Sequence, residues 1–243
     1  MNTVLASLWT PLAPSPLVWM LVTLAAWLLG LRLHEALARA SAWGALANPV
    51  LIAIALVAGA VWLAGVPYAT YFAGAQFIHF LLGPATVALA VPLARNIVHV
   101  GRSLKAVVLA LLAGALASIG SGVMIVRALG GSGAVALSMA PKAATTPIAI
   151  AIARQMGGVP ALTATLAIVG GILAASVGRR LLLWLRIEDS RAHGFAAGVA
   201  GSGIAAAEAA KLGSLATAFG ALGIALNGVI TALLAPLFAA LLH

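Results

Sequence analysis

The 243-residue sequence contains no cysteine, and it has only four acidic residues against 13 lysines and arginines. Without cysteine the chain can form no disulfide, thiolate nucleophile or thiolate metal site. Only 7% of the residues are charged, whereas a soluble domain is about one quarter charged. A water-soluble surface cannot be built from so few charges, because most of it would be one exposed apolar patch. Disorder is also excluded, because disordered chains are rich in charge and poor in apolar residues.

Apolar residues make up 64% of the chain, and its mean hydropathy is +1.17. They form runs of the length that a transmembrane helix needs, about 20 residues. We therefore predict an all-α membrane protein, a single polytopic domain over residues 1–243 with about seven or eight transmembrane segments, some of them broken or re-entrant. The predicted segments are about 12–31, 49–65, 68–95, 106–127, 134–154, 161–185, 194–211 and 213–242.

The distribution of lysine and arginine predicts the orientation, because cytoplasmic loops carry an excess of them. The first apolar run lacks a preceding charged stretch, so we interpret it as a retained span and not a cleaved signal. With the N-terminus outside, the polar loops 32–39 and 95–105 lie inside. If every later segment crossed once, the loop Arg179–Arg191 would lie outside, against the rule. We therefore predict that 134–154 enters and returns on the same side, as two half-helices that meet near Pro141–Pro147.

Three apolar segments are interrupted by residues that an unbroken helix avoids. Proline lacks the backbone N–H and clashes with the preceding turn, and glycine favours bends. A broken helix in a bilayer must be buried in protein or line a wet cavity, because its free backbone groups are costly in lipid. The predicted breaks are at Gly83 and Pro84, at Pro141 and Pro147, and at Gly201 and Gly203.

The residues at these breaks favour a site for a small anion. Half-helix N-termini carry partial positive charge, and secondary transporters use them to bind substrates near the membrane midplane. Lys142 adds a full positive charge, and small hydroxyl groups add donors. We predict that the substrate, a small carboxylate, is bound by Thr86, Lys142, Thr145, Thr146 and Ser202.

Each of these features also has a structural interpretation. Prolines and glycines are common in transmembrane helices, where they serve packing, and Gly194 and Gly198 form a small-residue pair typical of helix contacts. Lys142 can reach from a loop to the interface, and threonines can bond back to their own helix. Glu208 fits either of two interpretations, a proton or cation relay or an ion pair with Lys211. The residues that fit either the transport pathway or an interhelical hydrogen bond are Gln76, His79 and Asn227.

Weak internal similarity favours two related halves, as in inverted-repeat transporters. The stretch that begins at Asn48-Pro49 resembles the one at Thr146-Pro147, and Gly83-Pro84 loosely resembles Gly201-Ser202. The two pairs differ in spacing, so their registers disagree.

The sequence lacks the motifs that several classes of protein function require. The chain has no phosphate-binding G-x-x-x-x-G-K-[ST], no cluster with metal-ligand spacing, no paired carboxylates and no nucleophile elbow. The basic residues are scattered and not interleaved with aromatics. We therefore expect no enzyme activity, no cofactor, no metal and no nucleic-acid partner.

The broken segments resemble the LrgB/CidB family of bacterial membrane proteins. The resemblance runs from about Asn48 to Leu242 and is carried by four stretches, which are Phe80–Leu93 (FLLGPATVALAVPL), Pro141–Ala149 (PKAATTPIA), Gly157–Ala164 (GGVPALTA) and Thr231–Leu237 (TALLAPL).

The resemblance implies a multi-pass protein of the bacterial plasma (inner) membrane, surrounded by membrane lipid. It also implies a small partner membrane protein of the LrgA/CidA type, and we expect a homo-oligomer. The family is associated both with antiholin-like control of murein hydrolase export and lysis and with transport of small monocarboxylates such as pyruvate. The plastid glycolate/glycerate translocator is similar to a fusion of the two partner types.

The chain departs from the family pattern at two places. The family's third segment usually reads A-S-H-G-I-G-T-A, but here Ser202 stands in place of the histidine, within Ala200–Ala207. Before the first break the family often has acidic and basic residues, where this chain has Ala73 and Gln76. If the family's histidine carries a proton, coupling here requires another group, and Glu208 and His79 are the candidates.

Three functions follow from these observations. The first is a secondary transporter of small monocarboxylates that binds its substrate at the broken-helix ends. The second is a holin- or antiholin-like regulator without a transported substrate. The third is a structural subunit whose breaks only pack against a partner.

Overall fold

The computed structural model describes residues 15–40, 48–88 and 90–240, and it gives only the backbone for residues 38–40, 82 and 86. Within these ranges the chain consists of helices joined by turns, with no β-strand. It divides into two compact units, Met1–Ala88 and Leu89–His243.

Five described helical stretches are long and apolar enough to cross a membrane, and Pro49–Ala64 is a shorter apolar helix. These helices confirm the prediction of an all-α membrane protein. The predicted segments 134–154 and 194–211 are not among the long helices, because both are broken into shorter pieces. The five stretches are Pro16–Leu37, Tyr68–Arg95, Leu104–Ala128, Pro160–Trp184 and Ser214–Ala240.

The first unit contains four described helices, and its two N-terminal helices pack closely. A Cβ on Gly30 would lie 2.7 Å from the carbonyl oxygen of Pro49, so only glycine permits this approach. The predicted polar loop 32–39 is wrong, because those residues continue the first helix. Leucines and alanines are interleaved with the charged residues there, and these are strong helix formers. The helices are α1 (Pro16–Ala40), α2 (Pro49–Ala64), α3 (Tyr68–Phe80) and α4 (Leu82–Ala88).

The second unit is built around three long helices of 25, 25 and 27 residues, which are α7 (Leu104–Ala128), α10 (Pro160–Trp184) and α12 (Ser214–Ala240). At 1.5 Å per residue each is close to 40 Å long, enough for a hydrocarbon core of about 30 Å. The helices of this unit are α5 (Ala90–Arg95), α6 (Ile97–Arg102), α7 (Leu104–Ala128), α8 (Gly133–Met139), α9 (Thr146–Gln155), α10 (Pro160–Trp184), α11 (Ser190–Ala209) and α12 (Ser214–Ala240).

Contacts between the helix ends define two ends of the second unit. The Arg191 guanidinium donates to the Ser103 hydroxyl at 3.4 Å, so the starts of α7 and α11 share one end, which we name the Arg191 end. The final turn of α7 leads directly into α8 at the opposite end, which we name the Arg127 end.

The helices α8 and α9 form a hairpin that enters from the Arg127 end and returns to it. A Cβ on Gly122 of α7 would lie 3.0 Å from Met139, so α8 runs back along α7. After α9, the amide of Val159 donates to the Ser138 hydroxyl at 2.7 Å, which brings the chain back beside α8. This first hairpin matches the predicted re-entrant segment, and it puts residues 157 and 190 at opposite ends of the unit.

Helix α11 is also a hairpin, which the sequence analysis did not predict. Its helical dihedrals break at Ser202, with φ 50° and ψ −139°. The arm before this kink and the arm after it line one cavity beside the same stretch of α10, through Ala197 and Ala205 for example. Both arms therefore lie at the Arg191 end. This second hairpin enters from the side opposite to the first, as in an inverted arrangement.

The two ends differ strongly in their number of lysines and arginines. The Arg127 end carries Arg127 and Arg154, in the last turns of α7 and α9. The Arg191 end has many more basic residues, and this asymmetry is the kind that orients membrane proteins. Its basic residues are Arg102, Lys105, Arg179, Arg180, Arg186, Arg191 and Lys211.

Candidate functional site

The tips of the two hairpins meet through their hydroxyl groups. Thr145, at the end of the break between α8 and α9, lies 2.9 Å from Ser202, at the kink of α11 (Oγ1 to Oγ). Two of the predicted substrate-binding residues, 57 positions apart in sequence, are therefore in direct contact. The structure thus brings two of the three predicted breaks together.

The Asn227 side chain joins both breaks to α12. Its amide nitrogen donates to the carbonyl oxygens of Ala143, in the first break, and Val199, just before the second, at 2.9 and 3.1 Å. A broken helix leaves carbonyls without their usual partners, and a buried acceptor left unpaired is costly. Asn227 is only 1% exposed, so the two carbonyls are paired with a buried protein side chain and not with solvent. Of the two interpretations of this residue, the structure shows the interhelical hydrogen bond.

The meeting point lies halfway along the three long helices. Asn227 is the fourteenth of the 27 residues of α12. Gly171, the twelfth of 25 in α10, would bring a Cβ to 3.1 Å from the carbonyl oxygen of Gly201. Ser118, the fifteenth of 25 in α7, contacts Lys142. Helices that cross a bilayer have their midpoints near its centre, so the breaks are buried at membrane depth.

Lys142 reaches from the first break to the middle of α7. Its ammonium nitrogen donates to the backbone carbonyl of Ser118 at 2.7 Å and to the Ser118 hydroxyl at 3.2 Å. The side chain is half-buried, and in the part of the chain that the structure describes it forms no ion pair. Lys142 therefore does not extend towards an aqueous interface. An ionisable group at this depth indicates function by default.

The N-terminus of α9 opens onto the same break. Its cap residue is Thr145, whose side chain makes no capping hydrogen bond because its hydroxyl is directed to Ser202. Thr146 and Pro147 are the first residues of this ten-residue helix. The uncapped amide groups carry the positive end of the helix dipole. Lys142 and the N-terminus of α9 thus both contribute positive electrostatic potential, and both belong to the same short segment of the chain.

The remaining predicted residues of these two breaks have packing roles or open surroundings. Pro141 is fully buried, whereas Pro147 is exposed. Gly201 is packed against the Ala174 methyl, and nothing lies within 4 Å of a Cβ built on Gly203. The kink therefore lies at Ser202, between two glycines with different environments.

The third predicted break belongs to the first unit. Helix α3 ends at Phe80 and α4 begins at Leu82, but Leu81 between them keeps helical dihedrals and its carbonyl accepts from the Ala85 amide. Gly83 and Pro84 therefore lie within a nearly continuous helical stretch, and the predicted break there is wrong. Thr86 is in the same helix, but its side chain is outside the described part of the structure. His79 is exposed, with its ring 5.9 Å from that of Phe72.

Glu208 pairs with Lys211 at 2.6 Å, one helical turn away. This is the structural alternative stated for it. The same residue lines a cavity of about 280 Å³ between α10 and the two arms of α11. The other lining residues are mostly apolar, with Arg179 and His193 as exceptions.

Polar contacts fix the start of the second hairpin. Asp189 caps α11 by accepting from the Arg191 amide at 2.8 Å, and it also accepts from the Arg191 guanidinium at 2.9 Å. The guanidinium holds the pKa of the Asp189 carboxyl below its ordinary value, mainly through this hydrogen bond. The buried His193 ring lies 2.7 Å from the carbonyl oxygen of Ile187.

Sequence reasoning missed the serines and the threonine that hold the first hairpin. Ser138 is fully buried and accepts from Val159, and its carbonyl accepts from the Thr163 hydroxyl at 2.9 Å. Ser118 is the partner of Lys142. The available pattern was a lone polar residue in an apolar helix, which in membranes indicates a buried hydrogen bond.

The fold and the site define a polytopic α-helical membrane protein with two opposed re-entrant hairpins that meet at mid-depth. The chain matches the LrgB-like family over residues 23–241 and belongs to it. It is 33% identical over 195 residues to protein YxaC of Bacillus subtilis (strain 168), covering 80% of this chain and 85% of that one.

Two further relatives carry a functional name. The chain is 30% identical over 187 residues to the antiholin-like protein LrgB of Bacillus mycoides (strain KBAB4), covering 76% of this chain and 81% of the relative. The same figures hold for the antiholin-like protein LrgB of Bacillus cereus (strain B4264). No solved structure matches the chain significantly.

Proposed function

We propose that this protein transports small monocarboxylates of the pyruvate or glycolate type, and that the carboxylate binds where the two hairpins meet. The observation that carries the proposal is Lys142, an ammonium group without a carboxylate partner in the described structure, at a helix break halfway along the long helices. Such a charge in a bilayer is costly, so a function must maintain it.

The chemistry around Lys142 suits a compact anion. The amide end of α9 adds positive field, as anion sites at helix N-termini do. The paired hydroxyls of Thr145 and Ser202 can reorient to donate to a carboxylate oxygen. The Thr146 side chain is half-buried. Its hydroxyl makes no hydrogen bond within the residues that the structure describes, so it adds a further donor.

Uptake into proteoliposomes tests the proposal. Purified protein should give saturable uptake of labelled pyruvate or glycolate, and this should fall at least about tenfold in Lys142→Ala and Thr146→Val. Removing a charge-assisted hydrogen bond costs about 1.5–3 kcal/mol, and 1.4 kcal/mol corresponds to tenfold. Thr165→Val is the matched control, because the exposed Thr165 hydroxyl bonds only to Ala161 of its own helix. Unchanged uptake in the first two variants contradicts the site.

A second function is favoured by a different observation, the names of the relatives. Two of them are called antiholin-like proteins. A regulator of this kind would alter the lysis of cells, or the leakage of dye from the same proteoliposomes, without saturable uptake. Dye leakage that persists in Lys142→Ala, with no uptake of either acid, would favour this function over transport.

We also propose a location in the bacterial plasma membrane with the Arg191 end in the cytoplasm. The charge asymmetry between the two ends supports this orientation under the positive-inside rule. Reporter fusions after residues 157 and 190 should give opposite locations, with 190 cytoplasmic. A partner of the LrgA/CidA type and a homo-oligomer also stay proposals, and co-purification in mild detergent tests both.

A further inference from the structure

We propose that the Lys142 ammonium permanently occupies the position of a coupling cation, so that this transporter needs no dissolved Na⁺ to organise its broken helices. The idea deepens the proposed function, but its first test measures cation binding and does not require a transported substrate. It rests on the oxygen atoms around the Lys142 nitrogen.

The surroundings of this nitrogen are those of a bound cation. Both of its side-chain partners are oxygens of Ser118, one a backbone carbonyl and one a hydroxyl. Lys142 lies three residues after Met139, the last residue of α8, and its own amide donates to the Met139 carbonyl at 3.3 Å. Broken helices of secondary transporters bind Na⁺ with unwound backbone carbonyls and helix C-terminal ends, whereas the oxygens around this ammonium come from the continuous helix α7 that faces the break. Here a covalently attached ammonium fills the position.

The neighbouring helix α7 is adapted to admit the ammonium. A Cβ on Gly122, one turn after Ser118, would lie 2.9 Å from the lysine nitrogen. The Ser118 carbonyl lies within a continuous helix, and it can accept a second donor because it has two lone pairs. Glycine at 122 and serine at 118 therefore create an opening lined with oxygens on an otherwise apolar helix.

A permanent ammonium has a functional consequence. A dissolved coupling cation must bind before the break is organised, whereas Lys142 moves with the first hairpin and is always present. We expect uptake of the acid anion by the unmodified protein to be the same in Na⁺ as in N-methylglucamine. No Na⁺ then enters or leaves the site with the carboxylate.

Thermal unfolding of the purified protein is the decisive experiment. The probes are methylammonium chloride, sodium chloride and, as an ionic-strength control, N-methylglucamine chloride. Lys142→Ala removes the ammonium and leaves space, so methylammonium or Na⁺ should recover at least about half of the melting temperature that the variant loses, because binding to the folded state stabilises it. Lys142→Met, which fills the space without charge, should recover nothing, and the unmodified protein should not respond.

Equal responses of the alanine and methionine variants, or a specific Na⁺ response of the unmodified protein, would overturn the inference. If Lys142→Ala does not fold, Lys142→Ser takes its place, because its hydroxyl adds an oxygen ligand for Na⁺. Uptake in the two salts is the second arm, in which a requirement for Na⁺ also overturns the inference. A complete lack of uptake contradicts the proposed function alone, since the melting experiment still decides whether the cation position exists.

Discussion

The two hairpins of the second unit have the same position relative to the long helices but are held by different forces. The first, α8 with α9, is fixed by side-chain hydrogen bonds from Ser138, Thr163 and Lys142. The second, the two arms of α11, is fixed beyond its entry mainly by close backbone approach to α12. Gly194 and Gly198 face the carbonyl oxygens of Ala216 and Gly220, and a Cβ on either glycine would overlap them.

This difference indicates which hairpin can move. Each hydrogen bond of the first hairpin is worth about 1 kcal/mol net, so the bonds can be exchanged singly for water or substrate. Glycine-mediated packing is lost only when whole helices separate. The two breaks also favour movement of the first hairpin. The first break spans several residues between Pro141 and Pro147, whereas the second is a single kinked residue. Under the proposed transport function, we expect the first hairpin to rearrange while the second stays with α12.

The largest expected effect comes from Gly198→Ala. The added methyl would overlap the Gly220 carbonyl oxygen and lie 3.0 Å from the Ile224 nitrogen, and neither backbone can move cheaply. Overpacking of this kind costs up to about 3 kcal/mol. Gly203→Ala is the matched control in the same hairpin, because nothing lies within 4 Å of its Cβ. Unfolding in mild detergent with increasing denaturant measures both, and equal losses would show that packing does not hold this hairpin.

Asn227→Leu removes a side chain of α12 that bonds to both hairpins. It leaves the carbonyls of Ala143 and Val199 without their donor, and an unsatisfied buried group costs about 1–3 kcal/mol. We expect a loss of about 2 kcal/mol in unfolding free energy. Thr231→Val is the control, since the Thr231 hydroxyl only supports Asn227 through a long 3.4 Å bond. A variant as stable as its control would mean that the breaks are satisfied in another way.

The overall class and the first hairpin could be predicted from the sequence because their causes are local. Apolar runs of membrane length define helices without reference to neighbours. Pro141 and Pro147 cannot lie in an unbroken helix interior, and the charge rule then required a re-entrant segment at this position. The loop Arg179–Arg191, from which the number of membrane crossings was inferred, lies at the basic end of the unit, as the charge rule predicts.

The second hairpin and the partners of the site could not be predicted because their causes are long-range. Nothing in the flanking residues of Ser202 requires a reversal of direction, which exists because α12 and α10 enclose both arms. Lys142 was predicted to lie at the site, but its partner Ser118 is 24 positions away on another helix. Asn227 was noticed only as a polar residue in an apolar run, and its two carbonyl partners exist only in the folded chain.

A smaller effect is expected when the first hairpin loses one bond. Ser138→Ala removes the acceptor of the Val159 amide, so we expect a loss of about 1 kcal/mol. Because Val159 is at the exit of the hairpin, the loss should also speed hydrogen exchange at residues 156–159, while exchange in α11 stays unchanged. Thr165→Val is the control on α10. Faster exchange in both hairpins would contradict their separate attachment.

The smallest effect separates strain from bonding at the junction. Ser202 has a positive φ of 50°, which costs a residue with a side chain about 1–3 kcal/mol and glycine little. Ser202→Gly relieves this strain but loses the bond to Thr145, so its net change should be near zero, whereas Thr145→Val loses only the bond. When Ser202→Gly is added to Thr145→Val, it should therefore stabilise the protein by about 1 kcal/mol, as measured in a double-mutant cycle. If Ser202→Gly instead destabilises the Thr145→Val variant, contacts of the serine itself maintain the kink. Polar bonds would then hold the second hairpin at its tip, as they hold the first hairpin along its arms.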